Sequence, residues 1–243
     1  MYFETDKEVK SFLKQLQFLD QGTEGKCYLD KKTKTVYKIF HSFFEDKESG
    51  YSKNELLQFN DIKTKTFIWP REIIYQSNKI IGYTTKYKKA KNLHQLNLLE
   101  INLDHFEMAI RKVTEDITLL TKNHIEIVDL MYNTLYEDKN FYIIDTINYS
   151  KAKEANIDNT IEFNREIMYF LVDNYFNEFV AAEKDLSSIY LSKRTSALKF
   201  LKIFREKINA YQGKEVTYLK EVKPLIKSML PEDITYHRRK IES

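Results

Sequence analysis

The chain has 243 residues, 42% of them apolar and 31% charged, which suits one large domain or two packed lobes with a real core. Its 39 basic and 36 acidic side chains leave a net charge of +3, too even to imply a nucleic-acid surface. Only five glycines and three prolines argue against a linker-rich chain, and no stretch approaches the roughly 18 apolar residues of a membrane span.

One cysteine, Cys27, excludes an internal disulfide, and five scattered histidines suggest no zinc site. The opening MYFETDKEVK places acids where a signal peptide would need bases and an apolar run. A reducing cytoplasm is therefore the expected address, with neither membrane nor nucleic acid among the partners.

In chain order, residues 5–17 suit a short helix capped by Thr5 or Asp6, with Val9, Phe12, Leu13 and Leu16 on one face. The period then changes. Phe18 to Asp20, Lys26 to Asp30 and Thr35 to Phe40 read as three strands, joined by a glycine turn and by DKKTK. A helix is expected over 51–60, then a hairpin of 72–76 and 79–87 across Ser77-Asn78. Leu103, Phe106, Ile110, Val113, Ile117 and Leu120 recur at spacings of 3, 4, 3, 4 and 3, an amphipathic stripe that marks core and nothing more. Two short strands, Thr134 to Tyr136 and Phe141 to Ile144, flank the turn EDKN. Helices are expected over about 161–180, 194–211 and 216–229, the last interrupted by Pro224 and ended by Pro231. A mostly β portion thus precedes a mostly α portion, with a composition change near 88–93. The terminal HRRK, His237 to Lys240, reads as a solvated tail.

Gly22 and Gly25 lie in Q-G-T-E-G-K between strands, where the lack of a Cβ lets backbone N–H groups approach phosphates. An ordinary hairpin turn is the alternative. No GxxxxGK[ST] loop or strand–GxGxxG–helix unit is present, so P-loop and dinucleotide-fold readings are poor. Lys38 in V-Y-K-I-F shares a strand face with Val36 and Phe40, and an ammonium so placed needs an anion unless it reaches solvent. Glu55 is the expected carboxylate partner, with Glu48 and Glu45 as fallbacks.

Asp129 ends the apolar run I-E-I-V, a placement suited to orienting an attacking hydroxyl and taking its proton. Asn133 stands four residues on, and Asp145 ends F-Y-I-I-D. Oxygen-bearing side chains at adjacent strand ends can hold Mg²⁺ beside phosphates, although each could be a loop cap. His124 reads as a helix C-terminal residue, Trp69 as a core anchor, and Cys27 as a small buried side chain alternating with Leu29.

Taken together, these segments resemble the protein-kinase-like superfamily over most of residues 18–180. LDQGTEGKCYL resembles the glycine-rich loop, with Asp20 in place of the first glycine and Gly22 and Gly25 in the second and third places. VYKIF resembles the strand bearing the ATP lysine. The resemblance implies that Lys38 pairs the α/β-phosphates and that Glu55 orients it. IIGYTTKYKKAKNL resembles the last N-lobe strand and hinge, with Thr85 as gatekeeper and backbone groups of Lys86 and Lys88 meeting the adenine. VDLMYNTLY resembles the catalytic loop, with Asp129 as base and Asn133 as a magnesium ligand, and IIDT the strand end where Asp145 holds Mg²⁺. The implied fold is α+β and bilobal, with a small β-rich N-lobe over 1–88 and a helical C-lobe over 89–243.

The sequence departs from the family pattern at several points. Ile127 and Val128 replace the usual His-Arg, the step from Asp129 to Asn133 is one residue short, and Met131 stands where a lysine is common. Thr146-Ile147 follows Asp145 in place of Phe-Gly, and no APE motif is present. The leading expectation is an ATP- and Mg²⁺-dependent phosphotransferase acting on a protein Ser/Thr or a small hydroxylated molecule. The alternatives are a pseudokinase serving as a nucleotide-binding or interaction module, and an α+β binding protein whose matches are accidental.

Overall fold

A computed structural model of the chain describes residues 1–152, 158–192 and 194–222. The protein is mixed α and β, and by internal contacts it divides into two compact units. The first comprises Met1–Ala90 and Tyr142–Tyr149; the second comprises Lys91–Phe141 and the described residues from Ser150 onward. No helix among the described residues is long and apolar enough to cross a membrane.

The first unit starts with β1 (Tyr2–Phe3) and α1 (Asp6–Leu13). Thr5 caps α1 in a reciprocal box with Glu8, satisfying two backbone donors that the first turn leaves free. β2 (Gln17–Gln21), β3 (Gly25–Asp30) and β4 (Thr35–Phe40) follow where period-2 patterning predicts strands. Two short helices, α2 (His41–Phe44) and α3 (Lys53–Leu57), precede the hairpin of β5 (Ile73–Gln76) and β6 (Lys79–Lys86). The sheet order is β1-β5-β6-β4-β3-β2, antiparallel except where β1 runs parallel to β5.

β4 is central, and alternation sends its side chains to two faces. Ile39 joins Val9, Leu13, Phe43, Ile74 and Ile81 in one cluster, whereas Phe40 packs with Leu56, Ile73, Tyr83 and Ile147 in another. Lys38 shares the Phe40 parity. The expected helix over 51–60 is shorter than its apolar pattern suggests, since only Lys53–Leu57 is helical. Trp69 is an anchor as expected: it stacks on Phe67 at 5.8 Å and donates its indole N–H to the Ile62 carbonyl.

Backbones approach closely on both sides of β4. A Cβ on Gly82 would stand 2.1 Å from the Lys38 carbonyl oxygen, and one on Gly25 would stand 2.2 Å from that of Ile39. Neither contact can be relieved by turning a side chain. Gly82→Ala is expected to cost about 2 kcal/mol in urea unfolding; an unchanged midpoint would show that the strands part without penalty.

The second unit begins with β7 (Lys91–Asn92). The long α4 (Leu103–Lys122) is capped by Asn102, whose side-chain oxygen accepts from the His105 N–H. The six residues of its stripe are all fully buried. β8 (Ile125–Glu126), β9 (Thr134–Glu137), β10 (Asn140–Ile143) and β11 (Ser150–Lys151) follow. β7, β9 and β10 form a three-stranded sheet, and β8 pairs with β11.

The helical tail differs in detail from expectation. The single helix expected over 161–180 is two, α5 (Asn159–Val172) and α6 (Asn177–Ala182), separated at Asp173-Asn174, residue types that compete for backbone hydrogen bonds and favour turns. The sequence pattern missed α7 (Lys184–Leu191). α8 (Ala197–Gln212) starts after a Ser196 cap and stops at Gly213 in the left-handed region. Of the helix expected over 216–229, Leu219–Val222 forms a 3₁₀ turn, and the remainder, with Pro224, Pro231 and the HRRK cluster, lies outside the described residues. Phe106 is the centre of this core, in ring contact with Tyr136, Phe141 and Phe170.

Candidate functional site

Residues 142–149 leave the second unit to add to the first. The Ile143 N–H donates to the Thr66 carbonyl and its own carbonyl accepts from the Ile68 N–H. Two residues on, Asp145 takes a left-handed backbone, φ 59° and ψ 49°. Asp tolerates that region better than most residues, and a constrained acid of this kind is common at functional sites.

This turn brings Asp145 to Lys38. The Lys38 side chain is 9% exposed, and its ammonium donates to Asp145 Oδ1 and, at 2.7 Å, to Glu24 Oε2. Tyr83, directly across the ladder from Lys38, donates its hydroxyl to Asp145 Oδ1 at 3.2 Å. The other Glu24 oxygen accepts from Asn148 Nδ2 at 2.5 Å and stands 3.4 Å from the Tyr51 hydroxyl. Tyr51 stacks on Phe40 at 5.0 Å. One ammonium, two carboxyls, an amide and two phenols therefore converge within the first unit.

Burial pulls the Lys38 ammonium down, but the charges of Asp145 and Glu24 outweigh it and hold it above its ordinary value. Burial also pushes Glu24 up, yet the Lys38 charge and hydrogen bonds from Lys38 and Asn148 leave it below the usual carboxylate range. Asp145 goes the other way: burial, with the Glu24 charge adding to it, exceeds the pull of Lys38 and leaves the carboxyl raised. Two acids sharing one cation cannot both be fully satisfied, and their proton affinities separate accordingly. Cys27, across the strand from Lys38, is a half-buried thiol that burial pushes up to about 11. It is inert near neutrality.

No family model and no curated protein matches this chain.

Lys38 and Asp145, expected to act together, do meet. Glu55 does not join them. Its carboxylate closes a capping box with Ser52, accepting from the Ser52 N–H at 2.7 Å while the Glu55 N–H donates to the Ser52 hydroxyl. Glu45 is occupied by Lys47 at 2.7 Å. The carboxylate on Lys38 is Glu24, from inside the glycine turn. A local S-x-x-E pattern signals this capping role, and it outweighed the longer reach to Lys38.

Gly22 and Gly25 flank that turn and differ in kind. Gly25 is required by the Ile39 carbonyl, whereas a Cβ on Gly22 would meet nothing within 4 Å. The turn is held by Gly22 N–H donating to the Gly25 carbonyl, by His41 N–H donating to the Glu24 carbonyl, and by the His41 ring at 2.9 Å from the Gly22 carbonyl. Thr85 and Lys86 lie at the end of β6, opposite Val36 and Thr35. The Lys88 carbonyl accepts from the Ala90 N–H, and its ammonium sits 4.2 Å from the Tyr142 ring.

Asp129 and Asn133 belong to the second unit. Asp129 is exposed with φ 52°, and Asn133 Nδ2 donates to its main-chain carbonyl at 3.1 Å. The start of this segment is tied to α5: Asn159 accepts from the Ile127 N–H at 3.0 Å and donates to the Ile125 carbonyl. Sequence reasoning missed Glu166 on α5. Its Oε2 is buried with no hydrogen-bond partner. Burial, then the Glu162 charge, push this carboxyl up to about 7; Arg165 opposes the rise and Asp129 adds to it.

Among the described residues no three His, Cys, Asp or Glu side chains converge. Asp145, with a side chain 27% exposed, is a hard oxygen donor. Hard divalent cations take oxygen donors of this kind.

Proposed function

We propose that the protein is an ATP- and Mg²⁺-dependent phosphotransferase of the protein-kinase-like superfamily, with the bilobal fold of that superfamily. Its acceptor is a hydroxyl of a protein Ser/Thr or of a small molecule. One observation carries the reading: Lys38 and Asp145, 107 residues apart, share a mostly buried ion pair beside a glycine turn. An ammonium there can draw phosphate charge, and a carboxylate there can hold a cation, while positioning and electrostatics supply most of the catalysis.

Mg²⁺ and the nucleotide would supply charge neutralisation and the transferable group. Lys38 orients the phosphates, and Asp145 binds the cation through its carboxylate. The glycine turn offers backbone N–H groups, and the Lys86–Lys88 backbone receives the base. Asp129 takes the acceptor proton and Asn133 provides a second oxygen ligand, roles assigned from their places in the sequence. A module that binds nucleotide without transferring phosphate is the second reading. It is favoured by the loop sequence, where Ile127 and Val128 replace the usual His-Arg and the step from Asp129 to Asn133 is one residue short. The Asn133 hydrogen bond to the Asp129 carbonyl uses the amide N–H and leaves its oxygen available.

Incubation with γ-labelled ATP and Mg²⁺ tests both. Turnover that disappears in Asp145→Asn supports transfer; Mg·ATP binding without label transfer or hydrolysis supports the second reading; no binding at all overturns both. Gly22→Ala sharpens the result. Because its Cβ meets nothing, stability should stay within about 0.5 kcal/mol of the parent. Nucleotide affinity should fall about tenfold as the methyl crowds one or two backbone hydrogen bonds.

A further inference from the structure

The Lys38 ion pairs among the described residues run to Asp145 and Glu24. If Asp145 takes a cation, a second carboxylate must hold the ammonium in place, because a four-carbon side chain has several rotamers to lose. We infer that Glu24, delivered from the glycine turn, is the residue that positions Lys38 for the phosphates. The inference rests on the phosphotransferase reading and replaces Glu55 in it.

Three features support this assignment over an incidental contact. Glu24 uses both oxygens: Oε2 on Lys38 at 2.7 Å, and Oε1 on Asn148 at 2.5 Å with Tyr51 at 3.4 Å. Its side chain is 18% exposed, so water competes weakly for the pair. Its main chain is pinned, since the Glu24 carbonyl accepts from the His41 N–H at 2.8 Å and Gly22 and Gly25 close the turn at 3.0 Å. Glu24 thus ties the turn to β4 through Lys38 and to the segment after Asp145 through Asn148. A group held in this way fixes the orientation of its neighbour, as outer partners do at metal sites.

A rival use of the same geometry is a plug, in which the carboxylate occupies the seat of a phosphate. The two uses predict opposite signs. With Glu24→Gln, positioning predicts a turnover loss of about 10–100-fold with a smaller change in KM for Mg·ATP. Glu24→Asp should recover part of the rate. In the double variant Lys38→Ala/Glu24→Gln, the second change should add no further loss, because both act through one group. Unchanged or faster turnover, tighter Mg·ATP binding, or additive losses would each overturn the inference, as would a comparable loss confined to Glu55→Gln. Should the parent protein neither bind nor turn over Mg·ATP, the phosphotransferase reading fails separately. The Lys38 pairing is then read by acylating the protein at one pH and mapping the modified lysines by mass spectrometry. Faster Lys38 labelling in Glu24→Gln upholds Glu24 as its anchor, and an unchanged rate removes it.

Discussion

Replacing Lys38 with alanine should cost the fold about 4 kcal/mol at neutral pH, the scale expected when one partner of a buried ionic cluster is removed. The loss is not one of packing. Glu24 and Asp145 would face each other without a cation, their side chains only 18% and 27% exposed. Asp145→Asn should do the opposite. It leaves a one-to-one Lys38–Glu24 pair and removes the carboxyl that burial already holds above its usual range. The sign follows from linkage. A carboxyl raised in the folded state favours folding in acid and loses that advantage as pH rises through its folded value. Asn at 145 should therefore be neutral or stabilising at pH 7 and gain little in mild acid, while the phosphoryl transfer proposed above should be lost. Urea curves for both variants at pH 5 and 7 decide the matter. Equal destabilisation by the two substitutions would mean that the cluster is not short of positive charge.

Glu166→Gln should stabilise the protein by about 2 kcal/mol at pH 8 and hardly at all at pH 5. Its carboxyl lies in α5 with one oxygen buried and unpartnered, and burial pushes it from 4.5 to about 7 in the fold. Between those values the native chain holds a proton that the unfolded chain has released, so stability falls as pH rises across the window. Glutamine keeps the shape and has no charge to bury. Parallel pH–stability profiles for parent and variant would show that water or a rearrangement already satisfies the ionised form.

Much of the architecture was legible because it is encoded locally. The α4 stripe, spaced by threes and fours, is buried along its whole length. Alternation in VYKIF put Lys38 on the same face as Phe40, and Thr5 caps the first helix. The break at Asp173 and the extra helix at Lys184–Leu191 were less legible, since short helices there depend on packing more than on pattern. At the site, Lys38 and Asp145 could be named from the sequence, but their partners could not. Tyr83, Asn148 and Tyr51 carry no motif, and Glu166 looks like any helical glutamate.

The sequence by itself determined which residues could carry charge to a buried strand and where backbone turns must fall, because period, capping and glycine placement act over a few neighbours. Tertiary structure alone decided which carboxylate reaches Lys38. Chain order pointed to Glu55 and gave no sign of Glu24. Hydrogen bonds within one turn held Glu55 at Ser52, while the β3–β4 pairing and the return of residues 142–149 brought Glu24, Asn148 and Asp145 around one ammonium.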